Sequence, residues 1–433
     1  MQDCTGSNFQ LKILGNTRLA SDILRIWRYE GPKEASAKLK ILFHENTLLK
    51  NDLLLNELCF RIERVEGPRI IIDGIWFSRV YGGISRVWEN ILLSFQLPGL
   101  IYKEAPLSII DRNTRLPISN YFFNLKGQIV DPLDYNQVIK ISEENAFFTQ
   151  DWSADIFISS WISNTGMISP ACNELALVHD CIPERTDNKF VPENLRKLRH
   201  RWLHGAKGHL AVSKATSSDL DSLLKKHIPT TSWCHPAPVE HFTETNIQDN
   251  YLLNWEDWKF KSGLRKPYIL LPATSSIGSY KNPELVAKAL QHKGLEHIQL
   301  VLSGIAADKR AKELEEYAPY LIGRIVSVGL SNEELVFAYK NALAVVIPSR
   351  IEGFGLPVIE ALASKATVLI ADSRGLKEAG GNACMRFGSD RPEELAQLLL
   401  LLGDQRNIKY FRPFLERRRK HRLSFLNPDL LGL

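Results

Sequence analysis

Short apolar runs recur along most of this chain, and stretches of helical pattern separate them. One series occupies 69–73, 155–158, 175–178 and 208–212, and a second occupies 268–271, 298–302, 325–328, 344–347 and 367–370. Short buried strands that alternate with helices are typical of parallel sheets covered on both faces. The pattern therefore predicts an α/β chain with two doubly wound domains.

Length and local composition divide the chain further. A chain of 433 residues exceeds the usual size of a single core. Residues 1–65 carry helical patterns with few strand-like runs, and 249–266 is a polar stretch broken by Trp255 and Trp258. We therefore expect an N-terminal helical extension (1–65), a first domain (66–248), a linker (249–266), a second domain (267–405) and a basic C-terminal helical tail (406–433).

A glycine-rich turn follows the strand predicted at 344–347. Glu352 precedes the turn, Gly353 and Gly355 remove side chains within it, and Glu360 lies one turn inside the helix that follows. The free N–H groups and dipole of a helix start favour an anion such as a phosphate. Two carboxylates instead suit the hydroxyls of a sugar, because each accepts hydrogen bonds from them. Together the two features predict a nucleotide-sugar site.

Residues 352–360 read Glu-Gly-Phe-Gly-Leu-Pro-Val-Ile-Glu, which resembles the Glu-x7-Glu motif of retaining glycosyltransferases of family 4. The segments 329–342, 361–373 and 390–395 resemble the same family, so the likeness covers the chain from about residue 267 and, more faintly, from about residue 69. It implies the GT-B fold of two facing Rossmann-like domains. It also implies that Glu352 contacts the donor sugar and Glu360 the ribose, while the backbone and side chains of the turn complete the donor site with Gly353, Phe354, Gly355 and Leu356.

Three other loops resemble donor-site loops of the family. Gly82 and Gly83 belong to a glycine-rich loop whose backbone approaches the donor diphosphate and the acceptor. His179 belongs to a His-Asp loop in which the histidine contacts the donor sugar near the reacting carbon. Asp180 has two open roles there, orienting the imidazole or bonding the loop backbone. Lys281 and Asn282 match the Lys-Asn pair that holds the diphosphate.

The chain departs from the family at this pair. Members usually carry an arginine beside or several residues before the lysine, whereas this chain has Tyr280, Ser275 and Ser276. We expect either that Arg86 supplies the second positive charge or that activity is reduced.

Other patterns argue against a metal or a cofactor beyond the nucleotide-sugar co-substrate. The six cysteines are scattered without a Cys-x-x-Cys pair, which favours reduced thiols in the cytoplasm over a zinc site. Asp219 and Asp221 have the Asp-x-Asp form of metal-dependent transferases. They fall in a predicted capped helix at 213–224, where alternate side chains diverge. No segment has the pattern of a signal peptide or of an apolar membrane span.

Positive charge is concentrated near the C-terminus. Residues 406–422 carry eight Lys or Arg against one acid, Glu416, within a chain whose net charge is +5. The tail is either an ordinary solvated helix or a peripheral contact with an anionic membrane at its inner face. Nucleic acid is not expected, since no recognisable binding fold surrounds the charge.

The sequence thus predicts a cytoplasmic, metal-independent, retaining hexosyltransferase. Its donor would be a nucleotide sugar, with GDP-mannose favoured because the segment around Lys281 resembles mannosyltransferases. Its acceptor would be a glycan, a lipid-linked sugar or another hydroxyl compound. Two alternatives stay open: a nucleotide-sugar epimerase of GT-B fold, and a catalytically degenerate protein that only binds the donor.

Overall fold

The computed structural model describes most of the chain beyond residue 68. The described residues are 69–78, 83–94, 107–112, 123–151, 154–169, 172–186, 191–225, 231–233, 263–264, 267–273 and 275–424. The predicted extension 1–65, most of the predicted linker and Gly82 lie outside them.

The first series of elements runs from residue 70 to residue 233. It contains β1 (Ile70–Asp73), α1 (Gly83–Ser94), β2 (Leu107–Asp111), β3 (Phe123–Lys126), α2 (Tyr135–Asp151), β4 (Ile156–Ser159), α3 (Thr165–Ile168), β5 (Asn173–Val178), α4 (Ile182–Arg185), α5 (Glu193–Gly205), β6 (Gly208–Ala211), α6 (Lys214–Leu224) and β7 (Thr231–Trp233). A 3-10 turn, Ile75–Ser78, follows β1.

The second series runs from residue 268 to residue 424. It contains β8 (Tyr268–Leu271), α7 (Pro283–Leu290), β9 (Gln299–Ser303), α8 (Ala307–Tyr317), β10 (Ile325–Val328), α9 (Asn332–Asn341), β11 (Ala344–Ile347), α10 (Leu356–Ala363), β12 (Val368–Ala371), α11 (Arg374–Gly380), β13 (Met385–Phe387), α12 (Pro392–Gly403) and α13 (Gln405–Ser424).

The strands form two sheets whose cores are built from the predicted apolar runs. The order is β3-β2-β1-β4-β5-β6-β7 in one sheet and β10-β9-β8-β11-β12-β13 in the other. Strands β8 and β11 are buried along their whole length and pair in parallel. The strand order reverses between β1 and β4, and again between β8 and β11. Ligands of such sheets bind beyond the carboxyl ends of the strands at this reversal.

Residue contacts divide the chain into two units. Among the described residues, the first comprises those within 69–178, 193–210 and 224–232, and the second comprises those within 179–192, 211–223 and 233–424. Helices α4 and α6 therefore cluster with the second sheet, although they precede it in the chain. The turn at residues 352–360 belongs to the second unit.

The described part of the predicted basic tail lies in α13, a helix that packs on other elements of the second unit. Arg419 of α13 is buried and its guanidinium donates to the carbonyl of Leu362 at 3.4 Å. Arg422 donates to the carbonyls of Glu378 and Ala379. Part of the positive charge of the tail thus fixes the helix to the domain. Among the described helices, none combines the length and apolar composition that a membrane crossing needs.

Candidate functional site

A pocket lies where the order of the second sheet reverses. Residues that follow β8 and residues that follow β11 line it, and they include Ala273, Ser275, Lys281, Glu352 and Gly355. Both segments leave the carboxyl ends of adjacent parallel strands. The fold therefore places the predicted donor motif at the position where sheets of this topology bind ligands.

The glycine turn leads into α10 as the sequence predicts. Gly355 precedes the helix with φ of +113°, a conformation that favours glycine, and Pro357 stands in the first turn. The carboxylate of Glu360 is nearly fully buried and accepts a hydrogen bond from the hydroxyl of Tyr339 at 3.1 Å. The turn thus exposes the start of α10 to the pocket and holds Glu360 beneath it.

The turn is packed so tightly that neither its Gly353 nor Gly375 of the neighbouring helix α11 can carry a side chain. A Cβ on Gly353 would lie 1.9 Å from the carbonyl oxygen of His179, and one on Gly375 would lie 2.3 Å from the carbonyl oxygen of Glu352. The Gly353 carbonyl accepts hydrogen bonds from the hydroxyls of Ser213 and Thr216. The backbone on either side of Glu352 is therefore fixed by contacts distant in sequence.

Lys281 and Glu352 form an ion pair in the pocket. The ammonium Nζ of Lys281 lies 2.6 Å from Oε1 of Glu352 and 5.4 Å from the centre of the Tyr280 ring. Burial, the largest single influence, would lower the pKa of Lys281. The charge of Glu352 and, to a smaller extent, Tyr280, the hydrogen bond to Glu352 and Asp180 together outweigh burial and raise that pKa above its usual value. The same burial raises the pKa of Tyr280 to about 12. Lys281 is therefore a fixed positive charge, and Tyr280 is a neutral ring beside it.

Asn282 stabilises the loop that carries Lys281. Its backbone adopts a left-handed conformation with φ of +57°, and its side chain is fully buried. The side-chain amide donates to the carbonyl oxygens of Pro348 at 3.3 Å and Ser389 at 2.8 Å. In this arrangement Asn282 ties the loop after β8 to the segment after β11, so it sets the position of its neighbour Lys281.

His179 and Asp180 follow the end of β5 and belong to the second unit. The backbone of His179 packs against Gly353, as described above. Asp180 accepts a hydrogen bond from the backbone N–H of Ile182 at 2.9 Å. This contact corresponds to the second of the two roles open for Asp180, a hydrogen bond with the loop backbone.

Two further predicted site residues, Gly83 and Arg86, belong to the first unit. Gly83 is the first residue of α1, and Arg86 lies one turn further along the same helix. The adjoining end of β1 carries a different polar cluster. Arg112 is fully buried there and bonds to Asp73, Glu144 and Asn145 at 2.7 to 2.8 Å.

The Asp-x-Asp pair is engaged in a protein contact. Asp219 of α6 accepts hydrogen bonds from Arg185 and, at 2.6 Å, from Arg374. Ser213 caps α6, as its hydroxyl accepts from the N–H of Thr216 at 3.0 Å. Within the described parts of the chain, no group of three or more His, Cys, Asp or Glu side chains could hold a metal ion.

Several residues around the turn escaped prediction from the sequence. Tyr339, Ser213, Thr216 and Gly375 each hold a group of the motif, yet none has a distinctive local pattern. Tyr339 stood inside a segment that resembles the family, which was a usable signal. The others act from elements far away in sequence, and only folding brings them to the turn.

Part of the chain matches a known protein family. Residues 254–408 match the family model described as glycosyl transferases group 1. A serotype-specific mannosyltransferase of Escherichia coli, WbdA, is 20% identical over 331 residues, which are 73% of this chain and 40% of that protein. The chain thus spans well under half the length of this relative.

Solved structures resemble most of the chain. A glycosyltransferase from Rickettsia africae superposes with a TM-score of 0.59 at 16% identity, covering 84% of this chain and 96% of that one. Anabaena Alr3699/HepE in complex with UDP-glucose gives a TM-score of 0.60 at 14% identity, covering 84% and 98%. The chain therefore has the GT-B fold, which confirms the predicted fold class. Residues 254–408 are similar to the glycosyl transferases group 1, and the resemblance predicted from the motif is confirmed.

Proposed function

We propose that this chain transfers a hexose from a nucleotide sugar to a hydroxyl acceptor with retention of configuration. The observation that carries the proposal is the Lys281–Glu352 ion pair, which lies in the pocket beside the start of α10. The positive charge of Lys281 suits a leaving diphosphate, and the carboxylate of Glu352 suits the hydroxyls of the sugar.

The chemistry follows from these charges. The bond between the anomeric carbon and the diphosphate breaks, and the acceptor oxygen bonds to that carbon on the same face. The acceptor proton goes to the departing phosphate oxygen, so no protein nucleophile is required. Lys281 stabilises the charge that develops on the leaving group, and Glu352 orients the sugar. Residues Gly353, Phe354, Gly355 and Leu356 would contact the sugar and Glu360 the ribose, with His179 near the reacting carbon.

The donor we favour is GDP-mannose. Support comes from the segment around Lys281 and from the mannosyltransferase relative, whereas the structural neighbour Alr3699/HepE is described with UDP-glucose. A panel of labelled GDP- and UDP-sugars, incubated with the intact chain and simple acceptors, tests transfer directly. Binding of a nucleotide sugar without any transfer or hydrolysis would favour the degenerate donor-binding protein, and interconversion of the free nucleotide sugar would favour the epimerase.

We further propose that transfer needs no metal. The engagement of Asp219 with two arginines supports this, because it leaves the Asp-x-Asp pair unsuited to metal binding. Transfer should survive exhaustive treatment with EDTA. Loss of activity with EDTA and its recovery with Mn²⁺ or Mg²⁺ would contradict the mechanism.

The acceptor we favour is lipid-linked, at an anionic membrane surface. The exposed side of α13 carries basic and aromatic side chains, including Lys409, Tyr410, Arg412, Phe414 and Arg417. Each basic residue near such a surface contributes about 1 kcal/mol. The test is co-sedimentation with phosphatidylserine and phosphatidylcholine vesicles. The chain with Arg412, Arg417 and Lys420 changed to Gln should lose its preference for the anionic vesicles, and equal binding of the unaltered chain to both would leave α13 without this role.

A further inference from the structure

The pocket holds too little positive charge for the ligand that the proposed function requires. Among the described residues that line it, Lys281 and Glu352 are the two that carry charge. They lie 2.6 Å apart, so their charges cancel. A nucleoside diphosphate brings at least two negative charges, and a site that binds it with specificity needs a second cation with several N–H donors.

Arg310 meets this requirement beside the loop that carries Ser275 and Lys281. It is the fourth residue of α8, and its Nη1 group donates to the hydroxyl of Ser276. Ser276 follows Ser275, which lines the pocket together with Lys281. The guanidinium of Arg310 is therefore attached to the same loop, between β8 and α7, that carries the lysine.

The charge of Arg310 is only partly engaged. Its Nη1 contacts the carboxylate of Glu313 at 2.7 and 3.0 Å. Within the described parts of the chain, the Nε and Nη2 groups of Arg310 make no hydrogen bond. Nε carries one N–H and Nη2 carries two. A phosphate could accept hydrogen bonds from all three without displacing Ser276 or Glu313.

The backbone holds α8 against the loop of Lys281. Ala273 after β8 and Ala306 before α8 both have left-handed backbones, with φ of +49° and +59°. Gly304, with φ of +114°, packs so closely that a Cβ there would lie 3.3 Å from Cα of Ala273. Strained backbone of this kind persists where the surrounding structure fixes it, and it is common at ligand sites.

Arg350 is the competing cation in the second unit. Its guanidinium contacts two carboxylates, those of Glu284 at 3.3 Å and Asp390 at 3.4 Å, and also the carbonyl of Ser279. It is therefore more fully compensated than Arg310. Arg86 belongs to the first unit.

We propose that Arg310 is the second cation of the diphosphate site, reaching it from α8 through Ser276. This assignment rests on the proposed function. It places in Arg310 the role that the sequence alone suggested for Arg86.

The experiment measures the affinity of GDP, UDP, GMP and UMP for five forms of the intact chain by calorimetry: the unaltered chain, Arg310→Gln, Glu313→Gln, Lys312→Gln and Arg86→Gln. Lys312 is an exposed residue of the same helix, so it is matched in charge and position. Arg310→Gln should weaken the diphosphates at least tenfold and the monophosphates less. Glu313→Gln, which frees the guanidinium, should tighten the diphosphates. Lys312→Gln and Arg86→Gln should change little.

The outcomes separate the hypotheses. If Arg310→Gln keeps the diphosphate affinity, or if Lys312→Gln weakens it equally, Arg310 is not a ligand-binding cation. If Glu313→Gln and Arg310→Gln weaken binding alike, the pair is structural and the proposal is wrong. A loss with Arg86→Gln alone would return the role to Arg86. If the unaltered chain binds none of the four nucleotides, the proposed function itself fails.

Discussion

Two clusters of charged side chains lie at the carboxyl ends of β1 and β8, the first strand of each sheet in chain order. They differ in how fully the protein buries them and satisfies their hydrogen bonds. Beyond β1, Arg112 is 0% exposed and its partner Asp73 is 8% exposed. Beyond β8, Lys281 is 23% exposed and Glu352 is 13% exposed. The guanidinium of Arg112 bonds to three side chains and to the carbonyl of Gln128. The ammonium of Lys281 faces a pocket instead.

The difference shows which buried charges belong to the fold and which are available to a ligand. A fully buried charge is compatible with a stable fold when hydrogen bonds satisfy all its polar groups. Removing one partner then lowers the free energy of unfolding strongly. The Lys281–Glu352 pair is enclosed less fully and lines a pocket, where a ligand can reach both charges. We assign the Arg112 cluster to the architecture of the first unit and the Lys281–Glu352 pair to function.

The largest effect is expected from Arg112→Met. The substitution leaves Asp73 and Glu144 without their cation, so the free energy of unfolding should fall by about 3–5 kcal/mol. Urea unfolding followed by tryptophan fluorescence measures this. Lys140→Met, an exposed site on α2, is the control and should change stability by less than about 0.5 kcal/mol. A loss below about 1 kcal/mol for Arg112→Met would remove the distinction between the two clusters.

The second largest effect is expected at the Lys281–Glu352 pair, which faces the pocket. Glu352→Gln should lower the rate of sugar transfer by on the order of 10²-fold, because it removes charge that orients and stabilises the reacting sugar. The melting temperature should stay within a few degrees of that of the unaltered protein. Arg112→Met, in contrast, should lower stability strongly. Glu316→Gln, at an exposed position of α8, should leave both quantities unchanged. An unaltered rate for Glu352→Gln would show that the pair has no part in catalysis.

A smaller effect is expected from Glu378, a carboxylate of the second unit whose two oxygens both accept hydrogen bonds from the protein backbone. Glu378 accepts from the backbone N–H groups of Lys214 at 2.7 Å and Ala215 at 2.9 Å, so it caps the start of α6. Glu378→Gln leaves one acceptor for two donors and should cost about 0.5–2 kcal/mol of unfolding free energy. Nucleotide affinity should not change. A large loss of nucleotide affinity with unaltered stability would place Glu378 among the functional charges.

The smallest effect on the native protein is expected from thiol reagents. Burial raises the pKa of Cys384 to about 12, so at pH 8 only on the order of 10⁻⁴ of it is thiolate. Alkylation of its peptide by iodoacetamide, followed by mass spectrometry, should be slow until urea unfolds the chain. Because the folded pKa lies above the unfolded one, the contribution of this thiol to stability is complete below about pH 9 and is lost as the pH rises toward 12. Rapid alkylation at pH 8 would show that the region around β13 opens readily.

The central strands and the donor motif were predictable, whereas three of the four edge strands were not. Strands β8 and β11 begin and end at the predicted residues, because strands in the middle of a doubly covered sheet need uninterrupted apolar side chains. The edge strand β10 was also predicted with its exact bounds, since it keeps an apolar run. Strands β2, β3, β7 and β13 were missed. Strands β3, β7 and β13 stand at the edges of their sheets, where exposure permits polar residues such as Arg386 and erases the apolar run.

The tail illustrates the same limit in a helix. Its charge predicted either a solvated surface or a membrane contact, and both treat its basic residues alike. The structure buries Arg419 and ties Arg422 to backbone carbonyls, while Lys409, Arg412 and Arg417 stay exposed. Charge composition does not indicate which side of a helix packs, since that depends on the partner surface.

By itself the sequence determined the α/β alternation, the glycine turn before α10 and the residue types of a nucleotide-sugar site. These follow from local rules, namely apolar periodicity and the conformational freedom of glycine. Only the tertiary structure decided that Lys281 pairs with Glu352, that Asp219 binds two arginines and that Arg310 reaches the loop of Lys281. These contacts join residues from 34 to 155 positions apart, and their geometry depends on how sheets and helices pack rather than on any local pattern.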